Sequence, residues 1–207
     1  MAFEVLGVPQ SNFVRTVRIQ LEEKGVEYTH TMSMPHADEV KAINPIGKVP
    51  VIRHDGFELA ESLAITHYIE RVFDGPALVP SDPKEAAVVE QWSALTATAI
   101  DAIMVRQYMI GYIFPRKDDN GDMIRTDIDR AVKRFPKTFA MLEGAIGSDY
   151  LGSKQFSLAD CFLIPMLDGV RNFPEGKEQL SKSPGLQDYM ERVSARASVT
   201  NTAPPAR

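Results

Sequence analysis

The sequence predicts two domains in tandem, a small mixed α/β domain followed by an all-helical one. Three observations carry this expectation. Up to residue 74, short apolar runs alternate with helical spacing and lead into a hairpin signature. Asp74 to Lys84 then holds Gly75, Pro76, Pro80 and Pro83, a density of helix-disfavouring residues that reads as a linker. From Glu85 onward the apolar residues keep helical spacing almost throughout. The expected boundaries are therefore 1–74 for the α/β domain, 75–84 for the linker and 85–207 for the helical domain.

Phe3 to Leu6 reads as the first strand, broken by Gly7-Val8-Pro9-Gln10. Val14, Val17 and Leu21 then line one stripe of a helix that starts near Ser11 and ends at Gly25. Val26 to Met32 reads as the next strand, completing a β-α-β unit with a right-handed crossover. A short helical segment over Asp38 to Ile43 follows. Val51-Ile52 and Phe57 to Leu59 flank Asp55-Gly56, the pattern of a β-hairpin. Pro50 sits just before its first strand, where a missing N–H breaks no ladder bond. Leu63, Ile65, Tyr68, Ile69 and Val72 then mark a helix running to Phe73.

Beyond the linker, one helix is expected from Glu85 to about Phe114 and a second from about Met123 to Ile146, with Pro115 to Gly121 as the turn between them. Pro136 predicts a kink or an early end in the second. Ser157-Leu158-Ala159-Asp160 is a capping box. Leu186, Tyr189, Met190 and Val193 mark a last amphipathic helix, and the Pro- and Ala-containing tail from Thr200 is expected to be loosely ordered.

A chain of 207 residues, 44% apolar and 25% charged, is ordinary for a globular protein. Its net charge of −5 offers no footprint for nucleic acid. No apolar run is long enough to span a membrane, and no signal-peptide pattern opens the chain, so a cytoplasmic protein is expected. Cys161 is the only cysteine, which excludes an intrachain disulfide and a cysteine-based zinc site. His30, His36, His54 and His67 show no metal-ligand spacing, and no metal is expected.

Glu61 and Ser62 open a helix, where free N–H groups and the positive dipole end favour a carboxylate. Ser62 can add a hydroxyl, and Glu61 an acceptor for an ammonium, so together they suit a free α-amino acid. Ser62 also reads simply as an N-cap. Ser11 is likewise a good N-cap at the first helix.

Asn44-Pro45-Ile46-Gly47-Lys48-Val49-Pro50, then a hairpin, then Glu61-Ser62 and a helix, resembles the glutathione-binding half of cytosolic glutathione S-transferases, which have a thioredoxin-like fold. Gly7, Pro9, Ser11, Arg15 and Val17 fall in register with the serine-type classes, phi and theta among them. The resemblance implies a cis Pro50, a Val49 backbone that pairs with the cysteinyl unit of glutathione, and a Glu61-Ser62 pair that holds the γ-glutamyl end. It places Ser11 as hydrogen-bond donor to the thiolate, with Asn12 as the rival donor. Arg15 stands either as a nearby positive charge or as a solvated helix residue. Lys48 implies a partner for the glycyl carboxylate; His36, one position out of register, is a second candidate or an exposed loop residue. Phe13, Met104, Tyr108 and Phe114 are the expected surface for a small hydrophobic electrophile.

The chemistry accounts for a hydroxyl at Ser11. A free thiol has a pKa of about 8.5, so only about 3% is thiolate at pH 7. Lowering it by about two units requires about 2.7 kcal/mol of preferential stabilisation of the anion. A donated hydrogen bond and a helix N-terminus are the right kind of group to supply it.

The implied function is a glutathione transferase with glutathione as co-substrate, working as a homodimer in detoxification. A non-catalytic binding or scaffold protein of the same fold is the alternative, as is a glutathione-dependent peroxidase, dehalogenase or ether-cleaving relative. The absence of a Ser-Ser-Cys run near Ser11 argues against the maleylacetoacetate isomerase type.

Overall fold

A computed structural model describes residues 2–147 and 149–205. Its first domain is a four-stranded sheet in the order β2-β1-β3-β4, built from β1 (Phe3–Leu6), β2 (Thr29–Thr31), β3 (Val51–His54) and β4 (Phe57–Ala60). β1 is parallel to β2 and antiparallel to β3, and β3 and β4 form the expected hairpin. β2 is shorter than the run Val26 to Met32 suggested. β1 offers it a partner only at Glu4, Val5 and Leu6, and beyond that Met32 is exposed.

Three helices cover this sheet: α1 (Asn12–Glu23), α2 (Asp38–Ile43) and α3 (Ser62–Val72). Val14, Val17 and Leu21 of α1 pack with Ile65 and Ile69 of α3 on Phe3, Val5 and Ile52. Leu6 and Val51 face the other way, onto Val40 of α2. Alternation along each strand thus separates two small apolar layers. α1 is buried on a further side as well: Ile19 joins the core of the second domain, and Phe13 packs against it.

The linker is fixed in place by several contacts. Leu78 is buried, its N–H donates to Glu70 (2.9 Å) and its carbonyl accepts from Leu158 (2.8 Å). Helix α4 (Pro83–Leu95) starts two residues earlier than the sequence suggested. Asp82 caps it by accepting from the Lys84 and Glu85 N–H groups, and Pro83 stands at a position with no intrahelical donor to lose.

α4 runs on through two π-helical segments, Thr96–Ile100 and Ala102–Met109, into α5 (Ile110–Ile113). α6 (Thr126–Ile146) continues past Pro136 to Ile146, so the proline does not end it. α7 (Leu158–Val170) is the buried axis of the domain, with almost every residue inaccessible. α8 (Pro174–Ser181), α9 (Pro184–Ser194) and α10 (Ala197–Asn201) complete the chain. Leu186, Tyr189, Met190 and Val193 of α9 are all buried.

The chain is tied down as far as Thr202, and Ala203, Pro204 and Pro205 of the expected loose tail are exposed and outside any helix. Val199 and Thr202 are buried, and Arg196 and Ser198 bind the Glu23 carboxylate of α1. Ala206 and Arg207, the end of that expected loose tail, lie outside the described residues.

Candidate active site

The geometry begins with two glycines. A Cβ on Gly7 would stand 2.4 Å from Val14 and 3.1 Å from Val49, so the first loop can pass between α1 and the Val49-Pro50 segment only without a side chain. Gly47 has φ +75, and a Cβ there would meet the His36 ring at 2.3 Å. Between them Asn44 holds the turn, its Nδ2 donating to the Lys48 carbonyl (3.1 Å) and its Oδ1 accepting from Ile46 N–H (3.1 Å). The Val49-Pro50 peptide is cis.

A cleft of about 220 Å³ opens here, lined by Lys48, Val49, Pro50, Glu61 and Ser62 of the first domain and by Phe13 at the start of α1. Ala97, Thr98, Asp101 and Arg106 form the opposite wall. Glu61 holds φ +71, a conformation costing a non-glycine residue about 1–3 kcal/mol, and its side chain is not used as a cap. Strain of that kind clusters at active sites and ligand clamps. Ser62 opens α3, so the N–H groups of its first turn face the same place.

Asp101 is nearly buried and bonds Arg106 (3.0 Å). Burial pushes its carboxyl above the usual range, while Arg106 and Lys48 pull against that shift. Neither residue was singled out in the sequence, and the helix type explains why. Residues five apart do not share a face of an α-helix, but a π-helix bonds i to i+5 and brings Asp101 and Arg106 together. The same register turns the other expected residues away. Met104 and Tyr108 are fully buried in the helical core, where the Tyr108 hydroxyl donates to Glu175 (3.0 Å) and accepts from Gly176 N–H (2.8 Å). Phe114 is 70% exposed and lines neither this cleft nor the next. Of the four residues expected to meet an electrophile, only Phe13 lines this cleft, and none lines the larger one beside Ser11.

Ser11 lines a second, larger cleft of about 570 Å³ on the other side of the α1 N-terminus. Asn12 and Arg15 share it with Met109, Ile113, Phe173 and residues near the end of α7. The Ser11 hydroxyl caps α1 only through a long bond, 3.4 Å from Val14 N–H, in which it accepts; its own proton is free to be donated.

Arg15 is a different case. It is buried, its guanidinium bonds Asp168 of α7 (2.6 Å) and the Val199 carbonyl (3.0 Å), and it ties α1 to the second domain. That corrects one sequence reading of Arg15, since it is not a solvated helix residue; as a positive charge near Ser11 it is paired with Asp168. His36 is exposed, with φ +68, and packs over Gly47 next to Lys48 without lining the cleft.

Among the described residues no cluster of three His, Cys, Asp or Glu could hold a metal ion. No described helix is long and apolar enough to cross a membrane.

The fold sets an α/β domain that lines one side of the smaller cleft against a helical domain that supplies the opposite wall. Comparison with known proteins agrees. Residues 5–77 match the glutathione S-transferase N-terminal domain and residues 125–192 the glutathione S-transferase C-terminal domain. The chain belongs to the glutathione S-transferase family.

It is 27% identical over 205 residues to glutathione S-transferase F6 of Arabidopsis thaliana, covering 94% of this chain and 96% of that one. It is 28% identical over 218 residues to Protein LigF of Sphingobium sp., covering 86% and 84%. The crystal structure of LigF, titled a beta-etherase, covers 98% of each chain with a TM-score of 0.77. Glutathione transferase F7 of Populus trichocarpa has a TM-score of 0.83 at 25% identity, over 97% of each chain.

Proposed function

We infer that this chain is a glutathione transferase whose smaller cleft clamps glutathione by its two ends and whose Ser11 hydroxyl receives the sulfur. Lys48 pairs with the glycyl carboxylate. The Val49 backbone, which heads the hairpin without belonging to a strand, pairs with the cysteinyl unit. Glu61 accepts the γ-glutamyl ammonium, and the Ser62 hydroxyl with the first N–H groups of α3 takes the γ-glutamyl carboxylate. The sulfur then lies at the α1 N-terminus, between the two clefts. There the Ser11 proton and the positive helix end favour thiolate over thiol, while Asn12 is the rival donor.

The thiolate attacks an electrophilic carbon held in the larger cleft, a C–S bond forms and the leaving group departs with its electron pair. Positioning and the lowered thiol pKa supply the acceleration. The observation that carries this reading is the gathering of Lys48, Val49, Pro50, Glu61 and Ser62 around one cleft beside the start of α1.

Isothermal titration with reduced glutathione and conjugation of 1-chloro-2,4-dinitrobenzene test it together. Binding with turnover supports the transferase, binding without turnover supports a scaffold of the same fold, and no binding rejects both. A second reading, ether cleavage by the same thiolate, is favoured by the likeness to LigF over nearly the whole chain. Release of a phenol from a β-aryl ether in the presence of glutathione would establish it. The family likeness also carries a cytoplasmic homodimer, which analytical ultracentrifugation checks for the oligomer.

A further inference from the structure

The cleft beside Ser11 has a charge pattern that a purely hydrophobic substrate would not use. Among the described residues, the charged side chains lining it are Arg15, Asp168 and Arg171. Asp168 serves both arginines at once, its Oδ2 on Arg15 (2.6 Å) and its Oδ1 on Arg171 (2.8 Å), so the site keeps one uncompensated positive charge. The protein as a whole carries −5, which makes this local sign the opposite of the general one.

The two cations are not equivalent. Arg15 is sealed in, its side chain 5% exposed and also bonded to the Val199 carbonyl, whereas Arg171 is 47% exposed. A guanidinium has five N–H donors, and Arg171 lies at ion-pair distance from Asp168 without donating a hydrogen bond to it, so its fork stays available to a ligand. The positive end of α1 at Ser11 and the negative end of α7 at Arg171 carry about half an elementary charge each and offset one another. Met109, Ile113 and Phe173 supply apolar wall in the same cleft.

We propose that the electrophile accepted by this chain carries a carboxylate on a flat apolar body, and that Arg171 is the residue that holds the carboxylate. The proposal rests on the glutathione transferase reading and narrows its substrate class. The apolar body lies against Met109, Ile113 and Phe173, and the carboxylate pairs with the exposed side of the Arg171 fork, where planar two-point contact is available.

The experiment compares kcat/KM for 4-chloro-3,5-dinitrobenzoate and for neutral 1-chloro-2,4-dinitrobenzene, with glutathione, in wild type, Arg171→Gln and Arg171→Lys. With either compound the glutathione sulfur bonds to the ring carbon, the C–Cl bond breaks, chloride leaves with the electron pair and the thiol proton passes to solvent. The expected result is that the preference for the benzoate, as the ratio of the two kcat/KM values, falls about tenfold in Arg171→Gln. Arg171→Lys recovers most of it, and added salt lowers it in wild type.

A ratio that stays put in Arg171→Gln, or a parallel loss on both compounds, overturns the assignment. A wild type that conjugates neither compound defeats the transferase reading itself, a result the neutral substrate reveals separately.

Discussion

Asp160 offers a stability prediction whose size and sign can be worked from its contacts. It is fully buried at the start of α7 and accepts four hydrogen bonds. Oδ2 receives Ser157 N–H (2.8 Å) and the Ser157 hydroxyl (3.2 Å); Oδ1 receives Leu151 N–H (3.0 Å) and the Tyr189 hydroxyl (2.9 Å). In Asp160→Asn only one oxygen remains. The two backbone donors sit on different oxygens, so either orientation of the amide leaves one buried N–H facing an NH2 group. That costs about 2 kcal/mol at pH 7.

The carboxyl of Asp160 is pushed up to about 6 from its ordinary 3.8, burial being the largest cause and the hydrogen bonds pulling the other way. The folded state therefore holds this proton more tightly than the unfolded chain does. Stability rises as pH falls through about 6, and the gain is complete only below the unfolded value. Between pH 7 and pH 5 wild type gains about 1 kcal/mol from this group. Asp160→Asn lacks the titration, so the gap between the two proteins widens by that amount. Urea unfolding of both proteins at the two pH values measures it. A gap that narrows or stays constant on acidification would refute the reasoning.

Three further outcomes follow from the site. Ser11→Ala should move the acid limb of the kcat/KM profile upward by about one pH unit or more, the loss of one hydrogen bond to an anion. A lowered plateau with an unmoved limb would instead assign Ser11 to the α1 cap alone. Lys48→Ala should weaken glutathione about tenfold by calorimetry, and less at high salt. Arg15→Met should lower stability by about 3 kcal/mol in urea while leaving the pH profile where it was, because Arg15 joins α1 to Asp168 and Val199; a shifted profile would return Arg15 to a part in the chemistry.

What could be read in the sequence was what is decided locally. The hairpin around Asp55-Gly56, the Ser11 cap, the Ser157 to Asp160 cap and the stripe of α9 each depend on residues a few positions apart, and each stands where the spacing put it. The grouping of Lys48, Val49, Pro50, Glu61 and Ser62 around the smaller cleft was legible for the same reason, since they belong to one short stretch of chain.

The larger cleft was not. Its walls come from α1, α7 and the segment after α10, and the Arg15 to Asp168 bond spans 153 positions that no local pattern links. The π-helical register after Leu95 did further damage. Each residue there turns through a smaller angle than in an α-helix, so a stripe read at 3.6 residues loses phase. Met104 and Tyr108 face the core, and Asp101 and Arg106 line the smaller cleft. The anchoring of Arg196 and Ser198, just before the tail, could not be seen either, because their partner Glu23 is far away in sequence.

The proposed catalysis requires that this protein make glutathione anionic at neutral pH. Thiolate absorbs near 240 nm where thiol does not, so the difference spectrum of the binary complex, followed against pH, reports the titration of the bound sulfur directly. The expected midpoint lies at least about one unit below the ordinary 8.5 of a free thiol. A midpoint at or above the free value, with glutathione bound, would contradict it.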